Sequence, residues 1–538
     1  MKRTWIATAA AIAVTGTVLT GCGDAGSGEQ AQELKLYFGD DVPTLDVSQA
    51  TDSYSFDTLS NTMEGLVRLD KDGQAIPGMA TKWDISEDGK VYTFELRDAK
   101  WSNGDAVTAK DFEYSWKRTL DPATASQYAF MLNWVKGATN YNMGKATADE
   151  VGVKALDDKK LQVTLENPTP FFLNQMAFPT FFPLNQKFVE EKGKKFGSSP
   201  DNVLANGPFA VTTWQTGEAI TIEKNASYWD AATVKMNKIV FQVVKDSNTM
   251  VNMYESGELD RTSLIKEHYD RYKDNAEEFS VQPELTNGYL IFNPTVKGLD
   301  NAKIRTALTY AVDRDMYADI VYHNGTVGAT GFVPTGTGDS AGHDFRKAAG
   351  ELIKTNYDAS EAKKALEEGL KETGMTVDQL RFELLVDDTD IAKKAAEFLQ
   401  EQWRSKLGVT VEVQSVPFKL RLDKENKKDY QIGISLWGAD YNDAMTFLDL
   451  FVSTAEFNKV GYNNPAYDKL VAEAKASVDK NQRAQLMMDA EKLMLQDMPV
   501  GPLFFRGKGF ATKPYVKGLI TFPFGVTHEL KYTYIEGK

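Results

Sequence analysis

The chain has 538 residues, 42% hydrophobic and 25% charged, a formal net charge of −15 and a single cysteine, Cys22. The acidic surplus disfavours nucleic acid and anionic lipid as partners. One cysteine leaves no disulfide framework, so the fold must rest on packed cores, and the length has room for about three lobes.

Lys2 and Arg3 precede an apolar run from Trp5 to Leu19, which leads into Thr20-Gly21-Cys22. A charged start, an apolar stretch and small residues at a cut describe a secretory signal peptide, expected over residues 1–21. The run is about 15 residues, too short for a stable span, and no later segment approaches the roughly 20 apolar residues a span needs. Leu19-Thr20-Gly21-Cys22 resembles a bacterial lipobox. That resemblance implies a diacylglyceryl group on Cys22, which becomes the mature N-terminus at the extracellular face of the cell membrane. Two acyl chains suffice for stable anchoring. Loss of residues 1–21 removes Lys2 and Arg3 and no acid, leaving 59 basic and 76 acidic residues, a net −17. Residues 22–33, rich in Gly, Ser and Gln, read as a flexible tether with an r.m.s. span of roughly 17 Å.

Leu34–Phe38 reads as the first strand, closed by Gly39-Asp40-Asp41 and Pro43. Val91–Arg97 alternates with period two and places Tyr92, Phe94 and Leu96 on one face. Thr108, with Asp111 three residues on, resembles an N-cap pair opening a helix on which Phe112 and Trp116 share a face. Ile304, Ala307, Leu308, Ala311 and Val312 form a helical stripe, and Ile391, Ala395, Phe398, Leu399 and Trp403 another. The second stops at Gly408 and runs into a strand, Val409–Val413. Apolar Tyr430–Leu436 reads as a further strand, and helices follow around Tyr467–Ala474 and Arg483–Met498, the latter stopped by Pro499. The mixture implies an α/β fold with some antiparallel sheet. The charged stretch Leu422–Asp429 reads as a solvated face.

Readable catalytic patterns are missing. His268, His323, His343 and His528 form no metal-spaced cluster, and there is no G-x-S-x-G elbow or phosphate-binding Gly-Lys-Ser/Thr loop. Neither catalysis, a metal nor a cofactor is expected.

Trp83-Asp-Ile-Ser86-Glu-Asp88-Gly89-Lys-Val-Tyr92-Thr93-Phe94-Glu-Leu96-Arg97, then Lys100-Trp101-Ser102-Asn103-Gly104-Asp105 through Asp111-Phe112 and Trp116 to Arg118, is a long and specific pattern. Asn206-Gly207-Pro208-Phe209, Tyr228-Trp229-Asp230, Gly257-Glu258-Leu259-Asp260 and Val312-Asp313-Arg314 extend it. The pattern resembles the family 5 extracellular solute-binding proteins, the peptide and nickel receptors of ABC importers. Most of these residues read as scaffold, with Trp83, Trp101, Phe112 and Trp116 packing in a core. The resemblance implies a two-lobed, type II periplasmic-binding-protein-like α/β fold with an extra inserted lobe. Lobe I would comprise 34–63, 202–286 and 500–538, the inserted lobe II 64–201, and lobe III 287–499. The solute would be held between lobes I and III, and the closed form recognised by the permease.

Trp437-Gly438-Ala439-Asp440 follows the Tyr430–Leu436 strand. A carboxylate just past a buried strand is costly unless paired. By itself Asp440 is compatible with capping nearby N–H groups or with holding a ligand cation. In peptide-binding members the Asp of this Trp-x-x-Asp takes the peptide's free α-amino group, which implies that role for Asp440. The resemblance extends contact to the backbone around Leu436, Trp437, Gly438 and Ala439, and to Ser53 and Tyr54 of Asp52–Tyr54 across the cleft. Such main-chain pairing tolerates many side chains. Tyr128 falls where a ligand-contacting Tyr occurs in relatives, Phe418 near a Trp that borders a side-chain pocket, and Tyr289 and Asn293 are further cleft candidates. Ile434 stands where many oligopeptide receptors carry an arginine for the carboxylate of a short peptide. The implied protein is a monomeric, lipid-anchored receptor of a peptide ABC importer, with free-amine peptides and membrane permease subunits as partners. Dipeptide, cell-wall-peptide and peptide-pheromone receptors share the fold. A receptor for a non-peptide solute and a secreted hydrolase rank lower.

Overall fold

A computed structural model describes residues 31–538 apart from Asp72, Pro170 and Ser340, so Cys22 and residues 1–21 lie outside it. The predicted elements are present with small boundary shifts. Glu33–Phe38 is a strand whose Leu34, Leu36 and Phe38 are buried. Thr108 and Asp111 form a capping box at the start of helix Ala109–Leu120, and Phe112 and Trp116 are fully buried on it. Trp101 is buried too, whereas Trp83 is half-buried. Gly408, at φ +71°, ends helix Asp390–Leu407 and leads into strand Thr410–Val416. An L side chain is strained in that left-handed conformation, which explains glycine as the stop.

Three larger sheets carry the architecture. One has four strands in the order 33–38, 238–243, 219–224, 209–215, the first pair parallel and the others antiparallel. A second, wholly antiparallel, has the order 80–85, 91–96, 160–164, 153–155, and helix Ala109–Leu120 packs on it. The third runs 261–264, 500–512, 279–292, 432–438, 381–387, 410–416, with Val327–Gly328 joined to 500–512. The main core cluster runs from the first strand through Trp116 to Trp437, and a second surrounds Ile432 and Trp403.

Phe279–Phe292 and Val500–Thr512 are the longest strands, and they tie the third sheet together. The early half of the first, 279–283, pairs with 507–511 in the late half of the second, beside Arg261–Leu264; its later half, 287–291, pairs with 500–505, beside Ile432–Gly438. Register breaks between Pro283 and Asn287 and again between Gly288 and Tyr289, which faces Pro502. Proline cannot donate to a ladder and is tolerated at such irregularities. Glu284, Leu285 and Thr286 thus stand opposite Arg506 alone on the 500–512 side, while Thr286 still pairs with Gly438 on the other.

Two sequence expectations need correction. Within Leu422–Asp429, Glu425 is buried, because Arg421 one helical turn earlier bonds its carboxylate. Asn293 is no cleft residue: its amide donates to the carbonyls of Lys428 and Tyr430, and its side-chain oxygen accepts from Thr295. These bonds tie a loop to the sheet.

Candidate ligand-binding site

The strand Ile432–Gly438 is hydrogen-bonded to Thr286–Phe292 along its whole length. On its other side only Ile432 and Gly433 pair with Leu384 and Leu385. Residues 434–438 thus have a strand edge free of any strand among the described residues. Such an edge is a template for an added chain. It borders a cavity of about 270 Å3, and Leu436, Trp437, Gly438, Ala439 and Asp440 all line it. Gly438 is the exposed residue of an otherwise covered strand. Ala439 is already engaged: its N–H donates to Leu285 O at 2.7 Å and its carbonyl accepts from Gly525 at 2.6 Å.

Asp440 lines the cavity and is 6% exposed. Tyr128 Oη donates to its Oδ1 at 3.3 Å and Thr446 Oγ1 to its Oδ2 at 3.4 Å, while its own N–H donates to Thr446 Oγ1 at 3.2 Å. Among the described residues no cation lies within ion-pair distance of it. Burial pushes its carboxyl up to about 8, against the pull of the two hydroxyl bonds. A buried carboxylate left with hydroxyl donors alone pays a desolvation cost that an arriving ammonium would offset.

The other expected residues converge on the same space. Asp52 caps helix Ser53–Thr62 by accepting from the N–H groups of Tyr54 and Ser55, at 3.1 and 2.9 Å, which turns Ser53 and Tyr54 toward the cavity. A Cβ on Gly39 would lie 2.8 Å from Tyr54 Oη, so glycine there gives the phenol room. Phe418 starts helix Phe418–Asn426, meets Tyr54 edge-on at 5.6 Å between ring centroids, and lines the cavity. Tyr289 lines it from the long strand and packs against Phe332. Tyr128 is buried between Phe56, Phe178, Trp437 and Phe457, which fixes the direction of its hydroxyl.

Sequence reading missed the cations here. Arg421, Lys459 and Arg506 line the cavity. Arg421 is held between Asp387, at 2.6 Å, and Glu425. Lys459 Nζ donates to Gln127 Oε1 at 2.6 Å, and burial pulls its ammonium down to about 8. The Arg421/Glu425 spacing was a readable i, i+4 pair. Nothing local marked Lys459 or Arg506.

Several polar contacts span the cleft. Lys245 Nζ lies 3.0 Å from Asp40 and 2.8 Å from Asp388, Ser247 Oγ donates to Asp390 at 3.2 Å, and the Phe418 N–H donates to Asp40 at 3.4 Å.

Residues 74–459 match the bacterial extracellular solute-binding proteins, family 5 Middle. Oligopeptide-binding protein OppA of Bacillus subtilis is 37% identical over 97% of each chain. Listeria monocytogenes OppA bound to peptide superposes with a TM-score of 0.90 at 38% identity, covering 95% of this chain and 100% of that one. The Escherichia coli murein tripeptide binding protein MppA superposes at 0.86, with 29% identity over 95% and 99% of the chains. The unliganded open form of MppA reaches only 0.60, with 30% identity over 94% and 98%. With sequence and coverage so similar, that gap is conformational, and the present chain resembles the peptide-bound arrangement more than the open one. The extent of the match, the two-lobed α/β fold and the enclosed cleft lead to one family of non-enzymatic binding receptors: the chain belongs to the bacterial extracellular solute-binding proteins of family 5.

Proposed function

We propose that the chain is the lipid-anchored, extracellular receptor of a peptide ABC importer. It takes extended peptides with a free amino terminus into the cleft, closes around them and delivers them to the permease. The observation that carries this reading is Asp440, a buried carboxylate with two hydroxyl donors and, among the described residues, no cation, just past a strand whose residues 434–438 pair with no described strand on one side. An ammonium at Asp440 and main-chain pairing along the edge fit an extended peptide, and side chains would project to either side of it. The relatives named as oligopeptide- and dipeptide-binding proteins support the same ligand class. Ligand bridging both sides of the cleft favours the closed state by its differential affinity for it. Leu19-Thr20-Gly21-Cys22 supports the anchor, which keeps a water-soluble receptor near its permease.

Titration calorimetry with one peptide in free and N-acetylated forms tests the reading. The free form should bind and the acetylated form should not; equal binding would remove Asp440 as the amine anchor. Cys22→Ser should release the protein from membranes and lower uptake while leaving peptide affinity unchanged. Membrane retention of that variant would refute the lipid.

A further inference from the structure

The cavity at Asp440 does not end at Tyr54. Past Ser53, Tyr54, Leu436 and Arg506, which border both spaces, lies a second chamber of about 290 Å3. Asp440, Gly438 and Trp437 face the first chamber, Leu436 both, and Ile434 the second. The opposing segment repeats this order, with Asp52 on the first chamber, Ser53 and Tyr54 on both, and Asp57 on the second. A ligand that starts at Asp440 and follows the free edge therefore runs into the second chamber. From Asp440 to Ile434 is roughly 20 Å at about 3.3 Å per residue, the reach of a peptide of about six residues.

Four cations line it: Lys245, Arg261, Arg506 and Lys508. The last two share one acid, with Arg506 Nε bonded to Glu284 Oε2 and Lys508 Nζ 2.8 Å from Oε1. Arg261 is buried and has no carboxylate within ion-pair distance among the described residues. Its guanidinium lies 3.8 Å over the Phe510 ring, one Nη donates to Gln282 at 3.4 Å, and its Nε has no hydrogen-bond partner. Desolvation pulls it down to about 10. The nearby acids are engaged elsewhere: Asp57 with His528 at 2.6 Å, Asp387 with Arg421 at 2.6 Å, and Asp390 with Ser247 at 3.2 Å. Lys245 at the rim is paired with Asp40 and Asp388. The far end of the cleft thus holds a buried cation in want of an anion, the counterpart of Asp440 at the near end. Both are costly when empty.

We infer that the second chamber receives the C-terminal end of the ligand and that Arg261, with Lys508 beside it, binds the terminal carboxylate. This inference rests on the peptide reading above. It makes the preferred ligands free acids of about six residues, long enough to follow the free edge from Asp440 to Ile434 and enter the second chamber. It also supplies an anion partner on a different strand from Ile434. Met250, Ile265 and Ile391 give the chamber an apolar wall for the last side chains.

The test is calorimetry with one hexapeptide as free acid, C-terminal amide and N-acetyl acid, on wild type and Arg261→Gln. Amidation should weaken wild-type binding at least about tenfold, as for one lost partner of a buried charge pair. Arg261→Gln should bind the acid as weakly as the amide and leave amide affinity unchanged. Equal wild-type affinity for acid and amide overturns the carboxylate site, and this arm needs no variant to fold. An Arg261→Gln protein that loses acid and amide binding alike overturns it too. Sensitivity to N-acetylation without sensitivity to amidation removes the Arg261 site and leaves amine capture standing. No binding of any form removes the peptide reading itself.

Discussion

Asp440 and Asp443 stand three residues apart on one loop, both buried, and they are built for opposite purposes. Asp443 is held by Arg483 through two bonds of 2.8 Å, and its Oδ1 also accepts from the Met445 N–H at 2.9 Å. Asp440 accepts from two hydroxyls at 3.3 and 3.4 Å. The capping role that sequence alone left open for Asp440 belongs to its neighbour. A carboxylate saturated by its own protein supports the fold, whereas one left short of charge is available to a ligand.

The largest expected effect breaks the structural member of the pair. Asp443→Ala leaves Arg483 buried without its carboxylate and should cost about 3–5 kcal/mol of stability, read by denaturant unfolding. Asp440→Ala should cost about 2–5 kcal/mol of peptide affinity and no stability. If the two variants exchange these phenotypes, the contrast is wrong.

Next comes pH. In water a carboxylate loses its proton near 4, but in the empty closed cleft Asp440 keeps it up to about 8. Between these values the empty closed form binds more protons than the open one and is destabilised as pH rises. Scattering should therefore show the empty protein opening as pH increases from 5 to 8.5, and Asp440→Asn should abolish that trend. An ammonium ligand selects the ionised carboxylate, so binding near pH 7 should release the fraction of a proton that the ligand-free closed form still holds at that pH. Affinity should rise up to about pH 8, where the peptide amine itself begins to lose its proton. Calorimetry in buffers of different ionisation heat measures both.

Smaller effects sharpen the comparison. Tyr128→Phe removes one donor to Asp440 and should weaken peptide binding by about 1 kcal/mol, with the Asp440 titration moved further up. Lys245→Met removes a part-exposed bridge to Asp40 and Asp388 and should shift closure by less than about 1 kcal/mol. A large loss of affinity in Lys245→Met would move the closing energy away from the ligand.

Much of the fold was readable because its signals are local. The period-two run at Val91–Leu96, the Thr108/Asp111 capping box and Gly408 after Leu407 each depend on residues no more than a few positions apart. The strands 279–292 and 500–512 escaped that reading. Pro283 and Pro502 argue against a strand, and only the paired register shows that they sit at its irregularities. Glu425 was read as solvated because its burial is set by Arg421 and the cavity wall rather than by its charged neighbours in sequence.

The sequence by itself determined the α/β class, the family pattern and the position of Asp440 just past a buried strand. Tertiary structure alone decided that Asp440 has Tyr128, 312 positions away, and no cation among the described residues beside it. It also decided that Arg261, in the chamber that Ile434 borders, has no carboxylate of the described residues within ion-pair distance. The reason is physical: a backbone pattern follows from neighbours along the chain, but the cost of a buried charge depends on which distant groups the fold brings to it.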